Sequence, residues 1–152
     1  MNLTVLTPEE EILETFKKSI TEELNTIIEE INMERSEIWL NPIKEITTIE
    51  ERDPSLPSIY MTIGEVTRIT KDNNFTEETY TLTLKITFKD NKTRTSGYRY
   101  NYALNQLIKN STELPQIADR ILIKEMTYNQ NQRGDNREPS NTVFKINIVK
   151  ET

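Results

Sequence analysis

A chain of 152 residues with neither cysteine nor histidine excludes disulfides, thiol nucleophiles, Cys/His zinc sites and every Ser-His-Asp or Cys-His catalytic arrangement. With 34% hydrophobic residues and a mean hydropathy of −0.67, it predicts one soluble domain with a thin core, burying about 68–70% of its extended surface. The net charge of −6 is unevenly spread: residues 1–84 hold 18 acids against 7 bases, and residues 85–152 hold 7 acids against 12 bases.

The opening Met1-Asn-Leu-Thr-Val-Leu-Thr-Pro8 has no basic stretch followed by an apolar one, so no signal peptide is expected. No apolar run approaches the about 18 residues that span a membrane, and an intracellular setting is expected. Thr7, Pro8 and Glu10 form a capping box with proline at the first helical position, and Glu9, Glu10 and Glu11 suit the positive end of the helix dipole. Ile12, Leu13, Phe16, Ile20, Leu24, Ile27, Ile28 and Ile31 then recur at three- and four-residue steps. A long amphipathic helix from Pro8 to Glu34, about 40 Å at 1.5 Å per residue, is predicted.

Residues 36–57 read as irregular, broken by Pro42, Pro54 and Pro57 and pinned to the core by Ile38, Trp39 and Leu40. Ser58–Thr70 predicts one or two strands, followed by a polar turn over Lys71–Asn74. From Tyr80 to Phe88 apolar and polar residues alternate strictly, the mark of a strand with one face on the core. After a loop at Lys89–Thr93, Thr95 or Ser96 can cap a helix to Lys109 that buries Tyr100, Ala103, Leu104, Leu107 and Ile108. Strands Arg120–Tyr128 and Thr142–Val149 flank the wholly polar segment 129–141, giving a hairpin with a long mobile tip. The order α-β-β-α-β-β predicts a single α+β domain: an antiparallel sheet of about four strands with two helices on one face.

Few constellations suggest chemistry. Glu50, Glu51 and Asp53 form the tightest acidic group outside the first helix and, with Asp72 or Asp135, could in principle hold Mg²⁺ or Ca²⁺, but they lack the alternating spacing and turn glycine of an oxygen-ligand loop. A solvated charged loop is the better reading, and no metal or cofactor is expected. Gly64, Gly97 and Gly134 are too far apart for a phosphate-binding loop. The run from Lys85 through Lys89, Lys92, Arg94, Tyr98, Arg99 and Tyr100 to Tyr102 mixes bases with aromatics. It reads as tyrosine-rich packing or a protein interface before it reads as a single-stranded nucleic-acid surface. Arg133-Gly-Asp135 is a coincidental tripeptide in an intracellular chain. The acids Glu22, Glu23, Glu29, Glu30 and Glu34 lie on the polar side of the first helix.

Together these features resemble the tail-terminator and tail-completion proteins of tailed bacteriophages. The resemblance rests on the opening helix Glu9–Ile31, the stretch Leu56-Pro-Ser-Ile-Tyr-Met-Thr-Ile63, the alternating strand Tyr80–Phe88, the helix Tyr98–Ile108 and the last strand pair. It covers most of the chain through element order and size, without a signature of fixed residues. It implies a non-enzymatic virion protein, assembled in the bacterial cytoplasm as a ring, commonly of six copies. That ring caps the tail tube protein and meets a head connector or adaptor, without membrane or sequence-specific nucleic-acid contact. The charge distribution suggests the subunit contacts: Glu22, Glu29 and Glu30 on one side, and Lys89, Lys92, Arg94 and Arg99 on the other, with Arg133 and Arg137 in the polar loop. The alternative is a small acidic binding or regulatory module, immunity-type or antitoxin-type, with one basic protein partner.

Overall fold

Thr7 caps the first helix as expected: its hydroxyl accepts from the Glu10 N–H at 3.2 Å, and the Glu10 carboxylate accepts from the Thr7 N–H. The structure, a computed structural model, describes residues 6–35, 39–49, 54–71, 75–89, 95–129 and 139–151. The opening helix runs unbroken as α1 (Pro8–Ser19), a π-turn (Ile20–Leu24) and α2 (Asn25–Glu34). Its buried apolar residues Ile12, Phe16, Ile20, Leu24 and Ile28, continued by buried Asn32, repeat every four positions, with Ser19 buried beside them. In a regular α-helix that row would drift about 40° per step around the axis. The wider π-turn takes back part of the drift and keeps the row on the sheet.

The sheet corrects the sequence reading. It has five strands, not four, and it is mixed: β1 (Glu45–Thr47), β2 (Ser58–Lys71), β3 (Phe75–Phe88), β4 (Arg120–Asn129) and β5 (Ser140–Glu151), in the order β1-β2-β3-β5-β4. β1 pairs in parallel with β2, and the other pairs are antiparallel. Three residues near proline breakers are too few to show a period of two, so β1 left no pattern in the sequence. Of the one or two strands expected from Ser58, residues 58–71 form one, bulged at Gly64. The helix α3 spans Thr95–Asn110, which puts Thr95 and Ser96 inside it rather than at its cap.

The two helices and one face of the sheet form a single core. Tyr80, Leu82, Leu84, Ile86 and Phe88 of β3 meet Ile59 and Met61 of β2 and Phe144, Ile146 and Ile148 of β5. Ile12, Phe16, Leu24, Tyr100, Leu104 and Leu107 cover them from the helices. The α+β class with both helices on one face therefore stands. Among the described residues no helix packs on the other face, where Thr79, Thr81, Thr83 and Lys85 of β3 flank Val143 and Asn147 of β5.

The connection from α2 to β1 is held by side chains. Asn32 bonds both the N–H and the carbonyl of Leu40, at 2.8 Å each, and Asn25 does the same for Ile43 at 2.8 and 3.2 Å. The Tyr100 hydroxyl donates to the Asn41 carbonyl between them, at 2.8 Å. Seven residues of helix rise about 10.5 Å, and three residues of extended chain span about 10 Å. The two asparagines therefore meet the extended segment in step. Leu40 is buried, but Trp39, expected beside it in the core, is 58% exposed. In extended chain neighbouring side chains point to opposite sides, so anchoring Leu40 turns Trp39 outward. Ile38 lies outside the described residues.

Candidate protein-interaction surfaces

The opening helix and α3 run antiparallel over the sheet. At one end the Arg99 Nη1 donates to the Arg35 carbonyl at 3.1 Å, and at the other the Ser19 and Ser111 hydroxyls lie 3.3 Å apart. Between the helices a groove of about 470 Å³ opens to solvent. Its floor is apolar: half-buried Ile27 and Ile31, with Leu107 beneath. Glu22, Glu23, Glu30 and Glu34 line the opening-helix side, and the neutral Tyr102, Gln106 and Asn110 line the α3 side.

Among the described residues no base lines this groove. The described ion pairs join Lys18 to Glu113, Arg68 to Glu78, Lys145 to Glu125, and Arg120 to both Glu77 and Glu151. Among the described residues, none of Glu22, Glu23, Glu29, Glu30 and Glu34 has a base within ion-pair distance. Four carboxylates along one wall give a one-sided negative field over an apolar floor.

The sheet offers two further surfaces. β1 covers only Ser58–Tyr60 of β2, so from Met61 onward that edge meets no strand among the described residues. At the other end of the sheet β4 pairs, among the described residues, only with β5. Val66 and Ile69 are exposed on the first edge, and Leu122 and Met126 on the second. The distal half of β2, residues 64–70, is exposed throughout.

The residues picked out from charge are dispersed. Glu22 and Glu30 line the groove, while Glu29 is exposed outside it. Lys89 is exposed, and half-buried Arg99 is committed to the end of α2. Lys92, Arg94, Arg133 and Arg137 lie outside the described residues, as do Glu50, Glu51, Asp53, Asp72, Asp135 and the loop tip 130–138. Among the described residues no three acidic side chains gather as a metal site. The mixed basic and aromatic stretch does not form one surface. Lys85 lies over the Tyr60 ring on the helix-free face, Tyr100 is in the core, and Tyr98 and Tyr102 face solvent.

Sequence reasoning placed Ile27, Ile31 and Leu107 in the helix–sheet core and missed that they also floor a groove. The signal was the adjacent pair Ile27-Ile28, which widens the apolar stripe beyond what one sheet can cover. No family profile matches the sequence, and no curated protein is significantly similar to it.

Proposed function

We propose that this chain is a non-catalytic structural connector. Its copies join into a closed ring that caps a tail tube, and its helical face is turned to a neighbouring component. The observation that carries this reading is the pair of sheet edges that, among the described residues, meet no further strand. They lie at opposite ends of the sheet and differ in sequence, so joining them is a heterologous contact, which closes into a ring when the rotation between copies allows. β2 and β4 run in opposite directions within one copy. Copies turned about an axis along the strands would thus bring β2 and β4 together antiparallel.

Six copies, a tail tube protein, a head connector and a place in the virion neck come from the resemblance to tail terminators and belong to the same proposal. The contact expected between Glu22, Glu29, Glu30 and the basic second half is revised within it. Arg99 is occupied by Arg35, and the groove acids are better placed to meet another protein.

The acids without ion-pair partners also favour the second reading, a monomeric regulatory module that masks one basic protein. Light scattering during size exclusion separates the two. The ring reading predicts a discrete oligomer that falls to monomer in the edge variant Val66→Lys/Ile69→Lys. A monomer that takes up one basic protein at one-to-one stoichiometry would favour the module.

A further inference from the structure

We infer that the groove between the opening helix and α3 captures an amphipathic helix from a different protein, with an apolar stripe and basic residues along one flank only. The dimensions fit. From Glu22 to Glu34 the groove follows twelve steps of helix, about 18 Å, enough to lay down about three turns of a third helix. Half-buried Ile27 and Ile31, with buried Leu107 beneath them, offer the apolar bed that takes side chains at i, i+3, i+4 and i+7. Charge sets the orientation. Lys or Arg on one flank meets Glu22, Glu23, Glu30 and Glu34, while the opposite flank meets the amides of Gln106 and Asn110.

A second copy does not supply this helix. The opening helix is itself acidic, and the apolar stripes of both described helices are used in the core. The inference rests on the connector reading only in taking the helical face as free in the assembly.

The test uses a fluorescein-labelled synthetic peptide of about 14 residues with leucines at i, i+3, i+4 and i+7 and lysines on one flank. A scrambled peptide of the same composition is the control. Binding is measured by anisotropy on the wild type and on Val66→Lys/Ile69→Lys, so that helix capture and self-association are read separately. The patterned peptide should bind both proteins, bind at least about tenfold more tightly than the scrambled one, and weaken with salt. Glu22→Gln/Glu23→Gln/Glu30→Gln/Glu34→Gln should weaken it about tenfold or more. Tyr102→Asp, a change at an exposed position, should weaken it as well. Methyl NMR shifts should move at Ile27, Ile31 and Leu107. Equal binding of the scrambled peptide, no loss in the four-glutamine variant, or unmoved methyls would each overturn the inference.

Discussion

Asn32 holds Leu40 as a neighbouring strand would: its Nδ2 donates to the Leu40 carbonyl and its Oδ1 accepts from the Leu40 N–H, both at 2.8 Å. Both residues are buried, so neither backbone group can turn to water instead. Asn32→Leu would keep the volume and strand two buried backbone groups. It should cost about 2–4 kcal/mol, read as a lower urea midpoint with an unchanged slope. Asn25→Leu should cost less, because Asn25 is half-buried. Equal small effects from both would mean that the segment is held elsewhere.

Gly97 marks where α3 presses on β4. A Cβ there would lie 2.3 Å from the Tyr128 ring, which is boxed in by Phe88 and Tyr98 at centroid distances of 6.3 and 6.5 Å. Helix propensity alone favours Gly97→Ala by about 1 kcal/mol. The clash should reverse that sign and cost about 1–3 kcal/mol. In a Tyr128→Ala background the same change should become neutral or stabilising, a coupling that a double-mutant cycle measures directly.

Burial raises the Tyr100 hydroxyl well above the usual tyrosine value. Burial first, and then the Glu78 carboxylate, push Tyr80 up to about 12. Both groups hold their proton more tightly folded than unfolded. Their contribution is therefore full below about pH 10, the unfolded value, and is lost as pH rises through the folded values. The urea midpoint should decline from pH 10 upward, and Tyr100→Phe should flatten part of that decline. An unchanged slope would contradict the account.

Arg120 crosses over Val149 to reach Glu77 and Glu151, which face each other across β3 and β5. Like charges directly opposite destabilise a sheet, and an exposed cation offsets little. Arg120→Met should therefore cost no more than about 1 kcal/mol. Glu77→Gln should recover much of that loss in the same background.

The sequence carried the elements that local chemistry dictates. The capping box at Thr7, the alternation from Tyr80 to Phe88 and the apolar positions of α3 each gave the correct element and buried face. What it concealed depends on distant partners. The three residues of β1 gain their meaning from Ser58–Tyr60, and the placement of β5 between β3 and β4 is a matter of pairing. Asn25 and Asn32 looked like two more polar residues in an Asn-rich chain, yet each replaces a strand partner. The π-turn was in principle visible, since a strict four-residue repeat cannot stay on one face of a regular helix. The groove had a trace in Ile27-Ile28. The open edges had none, because an edge is defined by the strand that is missing.

Self-association is the claim on which the functional account depends, and sedimentation velocity over a wide concentration range tests it most directly. The account predicts one discrete species at an integer multiple of the 17.9 kDa chain, shifted to monomer by Val66→Lys/Ile69→Lys and by Leu122→Lys. A 17.9 kDa monomer at every concentration, unchanged by the edge substitutions, would contradict it.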